Sequence, residues 1–191
     1  MEKRHNSIDC PSTLQTIPKE KEFHFYTMQN GAKITCHGRP KKSDIAKLYK
    51  EHNVNYILTI QGTKEQPEII GQYCNEVSPD IHWEHLPLRG ASMSYFMREP
   101  IQKQILNYII SLYDYIKQHN NTVIFIHCAA GVHRTGTMLY TILRGSGENK
   151  EKAMEIIKNI RIETFRNVGE NRIKYAEEFL VRPLLELLGN K

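Results

Sequence analysis

The stretch that decides the fold runs from Val123 to Gly136 and reads VIFIHCAAGVHRTG. Its first four residues are β-branched or aromatic, a composition typical of a strand buried on both faces. A short loop of small residues follows, and it holds one cysteine and one arginine, Cys128 and Arg134. Thr135 is suited to be the N-cap of the apolar helix that comes next. The pattern therefore predicts a strand, a tight loop and a helix N-terminus in succession.

A strand, a tight loop and a helix N-terminus together form an anion site, because the loop N–H groups converge and the helix dipole favours negative charge. Cys128 would lie at the floor of this site, in the kind of environment that stabilises a thiolate. Arg134 can bind two oxygens of a phosphate with its planar fork. A thiolate beneath a bound phosphate suits in-line attack and a phosphocysteine intermediate. The Thr135 hydroxyl can assist the departing sulfur, and Gly131 lets the backbone turn its N–H inward.

His127, Cys128, Gly131 and the triplet from Arg134 to Gly136 resemble the His-Cys-x5-Arg-Thr/Ser-Gly signature of the cysteine-based protein tyrosine phosphatases. The compact chain is most similar to their small dual-specificity branch. The resemblance implies a single α/β domain with a mainly parallel central sheet flanked by helices. It also implies a hydrolase that acts on phosphotyrosine, with phosphoserine and phosphothreonine as further candidates, through a phosphocysteine intermediate.

Two other interpretations of the motif are a structural strand–helix turn and a metal site formed by His127, Cys128 and His133. A metal would consume the nucleophile and leave a cation beside Arg134, so we expect neither a metal nor a cofactor. His127 is expected to orient the loop through hydrogen bonds. The expected catalytic residues are Cys128, Arg134, Thr135 and Glu99. The residues expected to surround the phosphate are Ala129, Ala130, Gly131, Val132, His133 and Arg134.

The general acid of the resembled family is missing from this sequence. That family protonates the leaving group with an aspartate on a loop that follows an upstream strand, and the matching position here is Arg89 or Gly90. Glu99 is one candidate for the acid if the loop folds back over the site. A second alternative is an enzyme without a side-chain acid, acting on aryl phosphates or phosphoanhydrides, as in cysteine RNA 5′-triphosphatases. The third is a phosphate-binding module with low turnover.

Two further regions carry candidate polar groups. Residues 161–172 occupy the place of a second active-site loop in the resembled family, where Asn167, Glu170 or Asn171 would position the attacking water. The same stretch is equally typical of a turn and a helix start. Arg39 would either hold substrate at the site entrance or be an ordinary surface residue.

Composition favours one soluble globular domain. The 191 residues are 40% hydrophobic and 25% charged, enough for one core. We expect the phosphatase-like domain at residues 23–191 and a flexible N-terminal arm at residues 1–22. Four scattered cysteines without a Cys-x2-Cys pair favour a reducing compartment, cytoplasmic or nuclear. The net charge of +5 suits an anionic ligand, and a nucleic-acid partner is expected only under the triphosphatase alternative. We otherwise expect a monomer, away from membranes, that acts on phosphorylated proteins.

Hydrophobic periodicity predicts alternating strands and helices around the central stretch, which is typical of an α/β fold. A hairpin about the Asn30-Gly31 turn should pair the first two strands. Ser43 is expected to cap the first helix, Pro100 to begin a long one, and Pro183 to end or kink the last. The two hairpin strands are predicted at residues 23–26 and 32–36, and two more strands at residues 54–60 and 81–86. Besides the helix after the central loop, helices are predicted at residues 43–49, 65–75, 101–117, 150–161 and 171–188.

Overall fold

The computed structural model describes residues 22–189, so all but the last residue of the predicted arm lies outside the described part. The strands are Tyr26–Thr27 (β1), Lys33–His37 (β2), Tyr56–Ile60 (β3), His82–Leu86 (β4) and Val123–His127 (β5). They form one sheet in the order β1-β2-β5-β3-β4. β1 is antiparallel to β2, and the other pairings are parallel. The predicted α/β class with a mainly parallel sheet is confirmed.

Helices connect the strands and cover both faces of the sheet. Those of the first half are Lys42–His52 (α1), Glu68–Val77 (α2), Met93–Phe96 (α3) and Glu99–Gln118 (α4). Those of the second half are His133–Gly145 (α5), Lys150–Ile160 (α6), Ile162–Asn167 (α7), Glu170–Ala176 (α8) and Arg182–Gly189 (α9). The predicted irregularity at Pro183 takes the form of a π-helical segment, Glu177–Val181, which ends just before this proline. No helix within residues 22–189 combines the length and the apolar composition needed to cross a bilayer.

β5 is the central strand, and its side chains alternate between two hydrophobic cores. Ile124 and Ile126 belong to the larger core, which α4 and α5 also line. Val123 and Phe125 belong to the smaller core on the opposite face, with α1 and α2. Because β5 is hydrogen-bonded on both edges and buried on both faces, the loop at its C-terminal end starts from a fixed position.

Two predicted helix caps are wrong. α1 begins at Lys42, because the Lys41 N–H donates to the Asp44 carboxylate at 2.9 Å and starts the helix one residue before Ser43. α5 begins at His133 rather than after Thr135, and the Gly136 N–H already donates to the Val132 carbonyl at 2.7 Å. Thr135 therefore lies inside the first turn of α5.

The predicted hairpin is present, but its first strand is shorter than expected. Gly31 adopts φ +85°, as the tight turn requires. The pairing of β1 with β2 consists of Tyr26 opposite Ile34 and Thr27 opposite Lys33. Upstream of them, the His24 carbonyl accepts from the Thr35 hydroxyl at 2.7 Å instead of from a strand amide.

Candidate active site

The loop between β5 and α5 has its carbonyl groups bound on the outer side. The Ala129 carbonyl accepts from the Arg39 N–H at 2.9 Å. The carbonyls of Ala130 and Gly131 accept from the Arg161 guanidinium at 3.2 and 2.8 Å. In a trans peptide the C=O and the following N–H point in opposite directions, so the next N–H groups face the interior of the loop. Successive inward N–H groups form an anion-binding nest.

Cys128 lies inside this nest, and Gly131 makes the geometry attainable. The Gly131 N–H donates to the Cys128 sulfur at 3.2 Å, and Cys128 is only 3% exposed. Gly131 adopts φ +71°, and a Cβ at this position would lie 2.3 Å from the His37 carbonyl carbon. No other amino acid fits there without moving the β2 backbone. The glycine of the motif is thus required for both its conformation and its lack of a side chain.

A second layer of contacts holds the loop from behind. The Thr164 hydroxyl of α7 donates to the Gly131 carbonyl at 2.7 Å and accepts from Arg161 at 3.1 Å. Gly136 lets α5 approach closely here, since a Cβ on it would lie 2.6 Å from a methyl group of Val168. The loop is therefore supported by residues about 30 positions downstream, which its own sequence does not indicate.

Arg134 is fixed by Glu65, a residue that the sequence patterns did not single out. Its Nη1 and Nη2 atoms donate to the two Glu65 carboxylate oxygens at 2.6 and 2.8 Å, and Nη1 also donates to the Leu88 carbonyl at 2.8 Å. The Arg134 hydrogen bond is the main cause that lowers the pKa of Glu65. Glu65 follows β3, which neighbours β5. The carboxyl ends of adjacent parallel strands meet at one edge, and this was the signal in the sequence that could have located it.

The remaining donors of Arg134 form a bidentate edge that no carbonyl or carboxylate group of the described residues occupies. A guanidinium has five N–H groups, and Glu65 and Leu88 use both on Nη1 and one on Nη2. The Nε–H and the second Nη2–H remain, and they lie on the same edge of the planar group. Burial opposes the charged form, but the hydrogen bond to Glu65 and the nearby Cys128 raise the pKa of Arg134. The group is therefore a permanently charged fork available to a phosphate.

His127 joins the Cys128 backbone to Thr59 through hydrogen bonds, while its predicted role in orienting the loop stays a prediction. Its Nδ1 lies 3.2 Å from the Cys128 carbonyl oxygen, and its Nε2 lies 2.8 Å from the Thr59 hydroxyl. The Trp83 indole N–H donates to the same hydroxyl at 2.9 Å. A carbonyl can only accept, so the Nδ1 atom carries the proton and the Thr59 hydroxyl donates to Nε2. These hydrogen bonds thereby select one tautomer of a fully buried histidine.

Thr135 places an unpaired hydroxyl in the site. The residue is fully buried, and no described residue forms a hydrogen bond with its Oγ1 atom. A buried hydroxyl without a partner is costly, and such exceptions occur where a group is reserved for chemistry. Since Cys128 is among the described residues, no hydrogen bond joins this hydroxyl to the sulfur here, and the predicted assistance of Thr135 to the departing sulfur stays a prediction.

Glu99 lies on the surface at the first residue of α4. Its side chain is 73% exposed and forms a salt bridge with Lys103 at 2.7 Å. The hydrogen bond from Lys103 lowers the pKa of Glu99, whereas a general acid needs a raised one. Its predicted role as the acid stays a prediction, and its pairing with Lys103 does not favour that role.

The candidates for positioning water form local contacts. The Asn167 amide donates to the Glu163 carbonyl within α7 at 2.8 Å, and Glu170 pairs with Lys174 at 3.1 Å across one turn of α8. Asn171 is exposed. In this part of the chain Arg161 and Thr164 contact the loop instead, as described above.

The predicted phosphate-surrounding residues line the loop with different exposures. Ala129, Ala130 and His133 are exposed, Val132 is half-buried, and Gly131 is buried. Partial burial and the neighbouring arginine side chains lower the pKa of the His133 imidazole, so it is neutral at pH 7.

Arg39 supports the site instead of reaching into its entrance. Its guanidinium donates to the backbone carbonyls of Glu65 and Gln66, the latter at 2.8 Å. The side chain thereby fixes the segment that carries the Arg134 partner. Of the two interpretations of Arg39, neither an entrance contact nor an uninvolved surface residue describes what the structure shows.

The comparisons with known proteins agree with this geometry. Residues 30–148 match the family model Tc-R-P, described as a polymorphic toxin system DSP-PTPase phosphatase. No curated protein matches the chain at a significant level.

Solved structures of phosphatases share the fold. Kinase associated phosphatase, with its catalytic cysteine replaced by serine, has a TM-score of 0.62 at 14% identity, covering 88% of this chain and 98% of that chain. TpbA of P. aeruginosa in complex with pTyr has a TM-score of 0.58 at 15% identity, covering 87% and 91%. The core catalytic domain of the PP-IP phosphatase SIW14 from S. cerevisiae has a TM-score of 0.59 at 13% identity, covering 87% and 91%. At these identities the likeness concerns the fold alone.

Proposed function

The chain belongs to the Tc-R-P family of DSP-PTPase phosphatases, and we propose that it hydrolyses phosphotyrosine in proteins through a phosphocysteine intermediate. The observation that carries the proposal is the proximity of the Cys128 sulfur, which accepts from the Gly131 N–H, to the Arg134 guanidinium, whose Nε edge is not used by Glu65 or Leu88. A nucleophile and a phosphate-binding fork at one buried point suit phosphoryl transfer to sulfur.

The reaction proceeds in two steps. The inward N–H groups and the Nε edge of Arg134 bind the phosphate oxygens, and the Cys128 thiolate attacks phosphorus as the bond to the tyrosine oxygen breaks. Water then attacks the phosphocysteine, inorganic phosphate forms, and the sulfur leaves as a thiolate. The unpaired Thr135 hydroxyl donates to that thiolate and so favours the second step.

The leaving group decides between phosphotyrosine and phosphoserine or phosphothreonine. The family's aspartate position is Arg89 or Gly90, and Glu99 pairs with Lys103. Without an acid, the departing oxygen must carry its own negative charge. A phenol has a pKa of about 10, whereas an aliphatic hydroxyl is a far weaker acid, with a pKa close to that of water. Aryl phosphates are therefore the better substrates for this site.

Hydrolysis of a phosphoanhydride, such as an RNA 5′-triphosphate, is the second candidate function. The same observation favours it, because a phosphate leaving group needs no proton. Release of the γ-phosphate from triphosphate RNA, with phosphotyrosine peptides left intact, would support this candidate over the first. A non-catalytic phosphate-binding role would instead give tight peptide binding without hydrolysis.

The experiment that tests the proposal measures phosphate release from a phosphotyrosine peptide by the wild type, Cys128→Ser and Arg134→Ala. We expect Cys128→Ser to bind the peptide without turning it over and Arg134→Ala to lose both binding and turnover. A Cys128→Ser variant with full activity would overturn the mechanism. A pH–rate profile that keeps its basic limb in Glu99→Gln would exclude Glu99 as the acid, while loss of that limb would assign it this role.

The description of the family also connects the domain with toxin systems. We propose that the phosphatase activity itself is harmful to a cell that contains it, in a reducing compartment where the thiol persists. Growth during expression should fall for the wild type and recover for Cys128→Ser. Equal growth of the two strains would contradict this role.

A further inference from the structure

A cleft lined by the segment that follows Leu88 contains two arginine side chains that the mechanism does not use. It encloses about 360 Å³, and its lining includes Arg89, Arg98, Tyr95, Thr63 and Gln104. Arg89 comes from the loop after β4, and Arg98 directly precedes α4. The cleft thus combines two cationic side chains with hydroxyl and amide groups in one concavity.

Two lining residues of the cleft are chain neighbours of residues that contact the site or its loop. Leu88, whose carbonyl accepts from Arg134 at 2.8 Å, directly precedes Arg89. Gly62, next to Thr63, is so close to the same loop that a Cβ on it would lie 2.8 Å from the Arg89 α-carbon. The segment that fixes Arg134 through the Leu88 carbonyl thus continues directly into the wall of the cleft.

The described part of the chain offers the side chains of Arg89 and Arg98 no acceptor, unlike four other arginines of this region. Arg39, Arg134, Arg161 and Arg172 each donate to a carbonyl or carboxylate group. For the side chains of Arg89 and Arg98, residues 22–189 supply no such acceptor.

The neighbouring acid does not neutralise the cleft. Glu99 follows Arg98 in the chain, but its carboxylate pairs with Lys103 on the exposed side of α4. The cleft also has a hydroxyl donor. The Tyr95 hydroxyl oxygen accepts from the backbone N–H of Arg89 at 3.5 Å, so its own proton is available to a ligand. An exposed arginine alone needs no explanation. Two of them in one concavity next to a phosphate site form a second place for an anion.

We propose that this cleft is a second anion subsite, which binds a further phosphate or carboxylate group of the substrate whose scissile phosphate lies on the Cys128 loop. The proposal rests on the proposed phosphatase function and deepens it. Two sources share this chemistry: an acidic or phosphorylated residue that flanks phosphotyrosine in a peptide, and the second phosphate of a small polyphosphorylated molecule. Arg89, at the position of the family's acid, would thus help to select the substrate.

The test compares the wild type with Arg89→Gln, Arg98→Gln and the double variant. The first arm measures kcat/KM for two phosphotyrosine peptides that differ only by glutamate or glutamine beside the phosphotyrosine. The second arm measures inhibition of aryl phosphate hydrolysis by inorganic phosphate and by a cyclitol with two adjacent phosphates. In each arm the result is the value for the compound with a second anionic group divided by the value for the compound without it. A general loss of activity changes both values equally and cancels in this ratio. Arg182→Gln is the matched control, because Arg182 is an exposed arginine on a different cleft.

We expect each single variant to lower the ratio about fivefold and the double variant about tenfold or more, as for exposed bidentate ion pairs. A fall in the peptide arm alone identifies a peptide anion, and a fall in the inhibitor arm alone identifies a small polyphosphate. If no peptide is hydrolysed but the inhibitor ratio falls, the phosphotyrosine proposal fails and the subsite stands. Unchanged ratios in both arms for the double variant, or an equal fall in Arg182→Gln, would overturn the subsite.

Discussion

Replacing Glu65 with glutamine should destabilise the protein, because it leaves the buried Arg134 without a counter-charge. Both oxygens of the Glu65 carboxylate accept from Arg134, whose side chain is only 9% exposed. Removing one partner of a fully buried ion pair costs about 3–5 kcal/mol, and an exposed pair contributes about 0–1 kcal/mol. Glu65 is 27% exposed, so we expect a loss of about 2–3 kcal/mol in the free energy of unfolding at pH 7.

The loss should depend on pH with a defined sign. The pKa of Glu65 is lowered in the folded protein from its ordinary value of 4.5. A lowered folded pKa means that the carboxylate stabilises the fold fully above about pH 4.5, and that this contribution disappears as the pH falls through the folded pKa. A protonated glutamic acid resembles glutamine in shape and charge. The stability difference between the wild type and Glu65→Gln should therefore shrink below pH 4.5.

Urea unfolding followed by tryptophan fluorescence measures this difference at pH 7 and at successively lower pH. Glu99→Gln is the matched control, since it makes the same chemical change in an exposed pair with Lys103, and we expect no shift of its midpoint. Activity should also fall about 10- to 100-fold in Glu65→Gln, because Arg134 loses its fixed orientation. A Glu65→Gln variant as stable as the wild type at pH 7, or a difference independent of pH, would refute the reasoning.

Other substitutions test single features of the loop. Gly131→Ala should cost about 3 kcal/mol by urea unfolding, because its Cβ would overlap the His37 backbone. Gly31→Ala, also at positive φ but with nothing within 4 Å of the new Cβ, should cost about 1 kcal/mol, and equal costs would contradict the overlap argument. Thr135→Ala should retain a rapid burst of aryl product but slow the steady state, whereas Thr135→Ser restores it; loss of the burst itself would place Thr135 in the first step. Peroxide should inactivate the enzyme reversibly through Cys128, with inorganic phosphate protecting it, and indifference to peroxide would argue against a thiolate.

The sequence was sufficient to predict the centre of this molecule. The run from Val123 to Ile126 predicts a strand buried on both faces, and β5 has that burial because it pairs with strands on both edges. Cys128, Gly131 and Arg134 lie together because a short loop between a strand and a helix leaves them few alternatives. Both features depend on residues that are close in the chain, so a single sequence is enough to predict them.

The supports of the site depend on contacts between distant parts of the chain. Glu65 is 69 residues from Arg134, and Thr164 is 33 residues from Gly131. Thr164 belongs to no pattern, and Glu65 has only the signal of its place after β3, so the arrangement of the sheet and α7 is what brings them to the loop. The misplaced cap at Thr135 has a related cause, since the tight loop closes the first turn of α5 earlier than hydrophobic spacing suggests.

The central claim is that the Cys128 sulfur accepts the phosphoryl group, and trapping that intermediate tests it most directly. Wild-type enzyme turning over an aryl phosphate would be quenched in acid, digested and analysed by peptide mass spectrometry, with Cys128→Ser treated in parallel. We predict a peptide carrying one phosphoryl group on Cys128 in the wild type, with a larger fraction in Thr135→Ala. Steady turnover by the wild type with no such peptide at any quench time, or turnover by Cys128→Ser, would contradict the mechanism.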